Sequence, residues 1–118
     1  MGWLTTVRRD GGPQSSPVWF VVQDGWIYVR SEPGAAKLRN IAAHPAVTFH
    51  LDGDGVGGDI VTIEGSAEVM DAAPPGLLET YLAKYRSLIQ ARLETDPVKL
   101  ADQYAVTIRI TPTRTRTW

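Results

Sequence analysis

The chain has 118 residues, 43% of them apolar, with 12 lysines and arginines against 13 aspartates and glutamates, the composition of one globular domain able to bury a core. The resulting net charge of −1 excludes general nucleic-acid binding, which needs a basic face to displace counterions from phosphates. With no cysteine there are no disulfides, thiolate chemistry or cysteine-ligated metal.

No apolar run approaches the ~20 residues of a membrane span, and the N-terminus lacks the charged-then-apolar pattern of a leader. A cytoplasmic location without a membrane partner is therefore expected. Trp3–Val7 alternates and is closed by Arg9-Asp10-Gly11-Gly12-Pro13, which predicts a strand entering a hairpin. Gln14–Val22 follows, polar in its first half and apolar in its second. Pro17 cannot donate to a ladder, so its half must be an edge, a bulge, or a place where something other than a strand takes the hydrogen bonds. Asp24-Gly25 is a tight-turn signal and Trp26–Arg30 is the returning strand.

Ser31–Asn40 reads Ser-Glu-Pro-Gly-Ala-Ala-Lys-Leu-Arg-Asn and opens a short helical run that Pro45 must end. Lys37 thus lies near a helix start, where unpaired amides and the positive end of the helix dipole favour an anion. Its ammonium and the Ser31 hydroxyl would complete a phosphate-sized pocket. Val47–Leu51 predicts a strand, and residues 52–59, rich in aspartate and glycine, a flexible loop. That loop lacks the helix-loop-helix context and closing glutamate of a calcium site, so no metal is expected there.

Ile60–Val69 predicts a long strand in which Gly65 marks a bulge or corner. Leu77, Leu78, Tyr81, Leu82, Tyr85, Leu88 and Ile89 recur at helical spacing, with Pro74 and Pro75 in the first turn and the aromatic members facing the core. A second short helix is expected from Pro97 toward Asp102, and Tyr104–Thr111 alternates as a last strand. Beyond it the chain is polar and basic up to Trp118, which is expected as a loose end or as a lid on an apolar surface. Strands joined by hairpins and short helical connections predict a mainly β fold with α insertions, a six-stranded antiparallel barrel of Greek-key type.

Three stretches carry a resemblance to a known family: Gly2–Trp19, then Pro33–Ile41 with His44-Pro-Ala-Val47, and finally Ile63–Glu68 with the terminal Arg116-Thr-Trp118. In order and spacing they resemble the split β-barrel flavin and deazaflavin reductases, the superfamily of pyridoxamine 5′-phosphate oxidases, and most of all its actinobacterial branch of F420-dependent enzymes. The resemblance implies an FMN-binding-like split barrel that is homodimeric, with two cofactor sites at the interface. It places Gln14–Trp19 beside the cofactor ring system, with Gln14, Ser15, Ser16, Pro17 and Val18 as candidate ring contacts. It makes Lys37 the foremost phosphate ligand, with Ser31, Arg39 and Asn40 behind it, and matches Gly58 to a loop reaching the partner's site. Two departures stand out. Relatives usually begin with a helix before the first strand, so one barrel mouth is expected to be open or covered by the partner. Some relatives also carry a basic residue where this chain has Ala35, a role Arg30 could fill.

The resemblance implies coenzyme F420, a deazaflavin on an acidic phosphorylated tail, as cofactor for hydride transfer to a small conjugated acceptor. FMN is the alternative cofactor; its phosphate sits on a shorter chain and needs a tighter basic cluster, so the single Lys37 with Ala35 before it favours F420 slightly. A non-catalytic haem or tetrapyrrole carrier is the alternative from another class, for which only His44 and His50 could supply an imidazole ligand. Nothing supplies an obvious catalytic acid. His44, before a proline, reads as structural, and His50 could point inward from its strand as a proton donor. No Ser-His-Asp or paired-carboxylate pattern points to hydrolysis.

Overall fold

In the computed structural model the described residues are 1–51, 53, 56–92 and 103–118, without the side chains of 88–92. The elements are β1 (Gly2–Val7), β2 (Pro13–Val18), β3 (Phe20–Gln23), β4 (Trp26–Ser31), α1 (Ala36–Ala43), β5 (Ala46–His50), β6 (Val61–Met70), α2 (Leu77–Arg92) and β7 (Val106–Thr117). The strands form one sheet in the order β2-β1-β5-β6-β7-β4-β3, and every pairing is antiparallel. The meander β5-β6-β7 is flanked by β4, which reaches β5 through α1, and that is a Greek-key connection. β2 and β3 are consecutive in sequence yet lie at opposite edges of the sheet order, so the sheet curls into a half-barrel whose edges approach at Trp19.

That curl explains why six expected strands are seven among the described residues. Gln14–Val22 reads as one extended run, but its two halves pair with different partners. Pro17 lies opposite Trp3 on β1, and Phe20 lies opposite Val29 on β4. Pro17 is on an edge strand, where its missing amide hydrogen leaves no ladder position empty. At the crossing the Phe20 peptide bonds to α2 instead. Its N–H donates to the Tyr85 hydroxyl at 2.9 Å, and its carbonyl accepts from the same hydroxyl at 3.0 Å and from Lys84 Nζ at 2.7 Å.

Strand periodicity sorts two cores onto the two faces of the β3–β4 region. Inside the half-barrel, Leu4, Val29, Phe49, Ile108 and Ile110 are at most 1% exposed, and Ile41 of α1 seals the same cluster. On the other face Val21 and Tyr28 pack against Leu77, Tyr81 and Tyr85 of α2. The helical stripe of α2 is therefore core as expected, although Leu88 and Ile89 lie outside the described side chains. Pro74 and Pro75 precede α2 rather than opening it, and the Pro74 carbonyl accepts from Leu77 N–H at 3.1 Å. The helix expected from Pro97 lies outside the described residues.

The tight turn at Asp24-Gly25 has positive φ at both positions, 54° and 83°, as a two-residue hairpin of primed type requires. Gly65 sits at the register shift between β6 and β7. A Cβ there would lie 2.6 Å from the Thr111 carbonyl oxygen, so only glycine fits the bulge. The polar tail is not loose: β7 runs on to Thr117 against Val61, and the Trp118 amide donates to the Ile60 carbonyl at 2.9 Å. No helix among the described residues is long and apolar enough to cross a membrane.

Candidate functional site

The curl and α2 together enclose a cleft of about 220 Å³. Pro17, Val18 and Trp19, at the edge-to-edge crossing, form one wall, and Arg30 of β4 and Lys37 of α1 bring positive charge. Tyr81 of α2 and Tyr104, just before β7, supply phenols, and Met1 stands at the rim. Trp19 is held by the helix behind it, its ring stacked on Tyr85 at 4.6 Å and 5° between planes.

Lys37 is the second residue of α1, which begins after Ala35. Ala35 has no side-chain acceptor for the first-turn amides, so those of Ala36 and Lys37 are left to an outside partner. The Lys37 ammonium is half-buried, and among the described residues it makes no hydrogen bond or ion pair. Burial pushes its pKa below the usual 10.5, with Glu32 acting in the opposite direction. A desolvated, unpaired cation at a helix N-terminus gains more from an anion than a solvated lysine does. Arg30 contrasts with it. Its Nε donates to the Tyr104 carbonyl at 2.8 Å and its Nη1 to Thr107 Oγ1 at 3.3 Å, so its charge is fixed in place. Burial lowers its pKa too, and Tyr81 partly offsets this.

Of the residues singled out from sequence, Pro17, Val18 and Lys37 meet in the cleft. Asn40 is 8% exposed and ties α1 to the β1–β2 hairpin, its Nδ2 donating to Thr6 Oγ1 at 3.0 Å and to Gln14 Oε1 at 2.9 Å. Arg39 Nη1 donates to the Gly34 carbonyl at 2.8 Å and braces the loop into α1. Ser31 is buried, and its hydroxyl donates to the Glu32 carbonyl at 3.1 Å instead of lining the cleft. Ser15 shares a 2.6 Å hydrogen bond with Thr5 on the outer face of β2, and Ser16 lies opposite Leu4. Gly58 belongs to the β5–β6 loop, outside the cleft lining.

Sequence reasoning missed Tyr81, included Trp19 only as the end of the ring-side segment Gln14–Trp19, and noted Arg30 only as a substitute cation. Tyr81 carried a legible signal, one of two hydroxyls in a mostly apolar stripe with Tyr85, but helical spacing alone cannot tell a core tyrosine from one at a cleft edge.

A second groove of about 200 Å³ crosses the outer face of β5-β6-β7. Register sets His50, Thr62 and Arg116 in one cross-strand row and Thr48, Glu64 and Arg114 in the next. Arg114 and Glu64 approach to 3.7 Å with both side chains more than half exposed. His50 faces this groove and stacks on Trp3, with ring centroids 6.5 Å apart. It does not point inward, because Phe49 holds the inward position and side chains alternate along a strand. His44 is exposed at the end of α1, its backbone N–H donating to the Asn40 carbonyl at 2.8 Å. No histidine lines the Lys37 cleft.

Residues 1–118 match the family model described as pyridoxamine 5′-phosphate oxidase. Among solved structures, an F420 reductase superposes with a TM-score of 0.72 at 26% identity, over 98% of this chain and 87% of that one. A conserved hypothetical protein from Mycobacterium tuberculosis gives a TM-score of 0.74 at 27% identity, over 99% and 75%. The haem storage protein of Vibrio cholerae shares the fold, with a TM-score of 0.74 at 16% identity over 98% and 84%. No curated protein matches the chain.

Proposed function

The chain belongs to the pyridoxamine 5′-phosphate oxidase family, and from that membership we propose that it is a coenzyme F420-dependent oxidoreductase acting on a small conjugated organic acceptor. The observation that carries this reading is the half-buried Lys37 ammonium at the start of α1, unpaired among the described residues, in a cleft that the apolar Pro17-Val18-Trp19 segment also lines. A redox coenzyme with a flat ring and an anionic tail suits that pairing of surfaces, and the similarity to an F420 reductase favours the deazaflavin.

When bound, the coenzyme supplies a hydride at C5 of its ring. The chain's own task is binding and orientation. Lys37 and the first-turn amides of α1 hold the phosphate. Pro17, Val18 and Trp19 give the ring an apolar surface and keep water from one face. Gln14, Arg39 and Asn40 act by holding α1 where Lys37 can meet the ligand, and Ser31 by fixing the turn that leads into it. Ser15 and Ser16 lie outside the cleft lining and are given no contact with the ring.

At about 220 Å³ the cleft is smaller than the roughly 300–1,000 Å³ that ligand sites occupy. We assign the missing wall to a second copy, so that the active unit is a homodimer with the Gly58 loop reaching the partner's site. FMN is the second reading, favoured by Arg30, which gives the cleft a second cation where Ala35 gives none. A fluorescence titration of the purified protein, on a sample whose sedimentation gives twice the chain mass, is expected to show tighter binding of F420 than of FMN. The reverse order would assign the cleft to the flavin, and no binding of either would remove the enzyme reading.

A further inference from the structure

Tyr81 lies on the helix that was expected to supply only core. Its side chain is 6% exposed and its ring is tilted against Tyr85 at 5.3 Å between centroids. Its hydroxyl, however, has no hydrogen-bond partner among the described residues, whereas Tyr85 spends its hydroxyl on the Phe20 peptide. A hydroxyl that keeps no protein partner on an otherwise buried residue is left to water or to a ligand. No fully buried side-chain polar atom among the described residues lacks a partner, so the Tyr81 hydroxyl is reached from open space. That space is the cleft it lines together with Lys37 and Arg30.

We infer that Tyr81 is a binding residue of this cleft, its hydroxyl donating a hydrogen bond to the anionic group of the ligand that Lys37 attracts. The inference rests on the reading of the cleft as a cofactor site and adds a contact from α2 to those from α1 and β4. A phenol is a neutral donor, so it adds a hydrogen bond to the anion without a third buried positive charge beside Arg30 and Lys37. Burial, with Tyr85 and Tyr104 acting in the same direction and Arg30 opposing, raises its pKa. The hydroxyl therefore keeps its proton throughout the neutral range and remains a donor. The ligand class is a phosphorylated ring compound: the phosphate faces Lys37 and Tyr81, and the ring faces Trp19.

The test compares Tyr81→Phe with the unaltered chain using two ligands, F420 and the phosphate-free 8-hydroxy-5-deazariboflavin, each titrated by fluorescence. Tyr81→Phe keeps the ring packing, and an unchanged thermal transition confirms it. The expected result is a loss of about tenfold or more in F420 affinity, the size of a lost hydrogen bond to a charged group. Binding of the phosphate-free compound should change less than twofold. An equal loss for both ligands, or no loss for either, overturns the inference by making Tyr81 a packing residue. If Lys37→Ala abolishes the preference for F420 while Tyr81→Phe keeps it, the cofactor reading stands and this inference alone fails. If the unaltered chain shows no preference for the phosphorylated ligand, both fall.

Discussion

The Lys37 cleft and the outer groove of β5-β6-β7 are almost equal in volume, about 220 and 200 Å³, and each carries two cationic side chains. They differ in what those cations do. In the groove Arg114 already faces Glu64 across the strands, and both side chains are well solvated, so an incoming anion would displace a partner and water for little gain. In the cleft Lys37 is partly desolvated, with no carboxylate among the described residues bonded to it, beside the amides of a helix start. Size therefore does not mark the site. An electrostatic debt left open by the fold does.

The largest expected effect separates the two regions directly. Lys37→Ala should weaken F420 binding by roughly 1.5–3 kcal/mol, the range of a lost charge-assisted contact, while Arg116→Ala in the groove should change it less than twofold. Titration of both variants checks this, and a larger loss for Arg116→Ala would move the site to the groove. A smaller effect asks whether the cleft, unlike the groove, depends on α2. Tyr85→Phe removes the hydroxyl that satisfies the Phe20 amide while keeping the ring that stacks on Trp19, and should cost about 1–2 kcal/mol in denaturant unfolding. The groove, built from the sheet alone, should keep its geometry, which the amide shifts of β5 and β6 would report.

The smallest effect is one of pH. Because burial sets the Lys37 pKa below its usual value, the free protein begins to lose that proton at lower pH than an exposed lysine does. A bound anion favours the charged form. Binding above the free-state pKa therefore takes up a proton, and F420 affinity should fall as pH rises. The fall should set in below the usual lysine pKa of 10.5 and be absent in Lys37→Ala. A flat profile in the unaltered chain would show that Lys37 does not meet the anion.

How far the sequence led is clearest in two segments. At Lys37 everything needed was local: a proline that ends the helix, a start without an acidic residue, and a lysine at the second position. At Gln14–Val22 the pattern was read correctly as extended, but its division was not legible. The break at Trp19 depends on strands β1 and β4 lying at separate places in the sheet and on a tyrosine 65 residues away. The tail after Thr111 misled for a related reason. Nearly every residue of that stretch is exposed, so no burial pattern announced a strand that pairing with β6 nevertheless fixes.

The sequence by itself determined the class of fold, the turns and the helix-start lysine, because period, proline and glycine act over a few residues and leave their mark in the chain. Only the tertiary structure decided which polar groups remain unpaired. Gln14 and Asn40 satisfy each other, Ser31 turns to its neighbour's carbonyl, and Lys37 is left facing the cleft. Such a balance is struck among groups far apart in sequence, once the half-barrel has closed and removed their water.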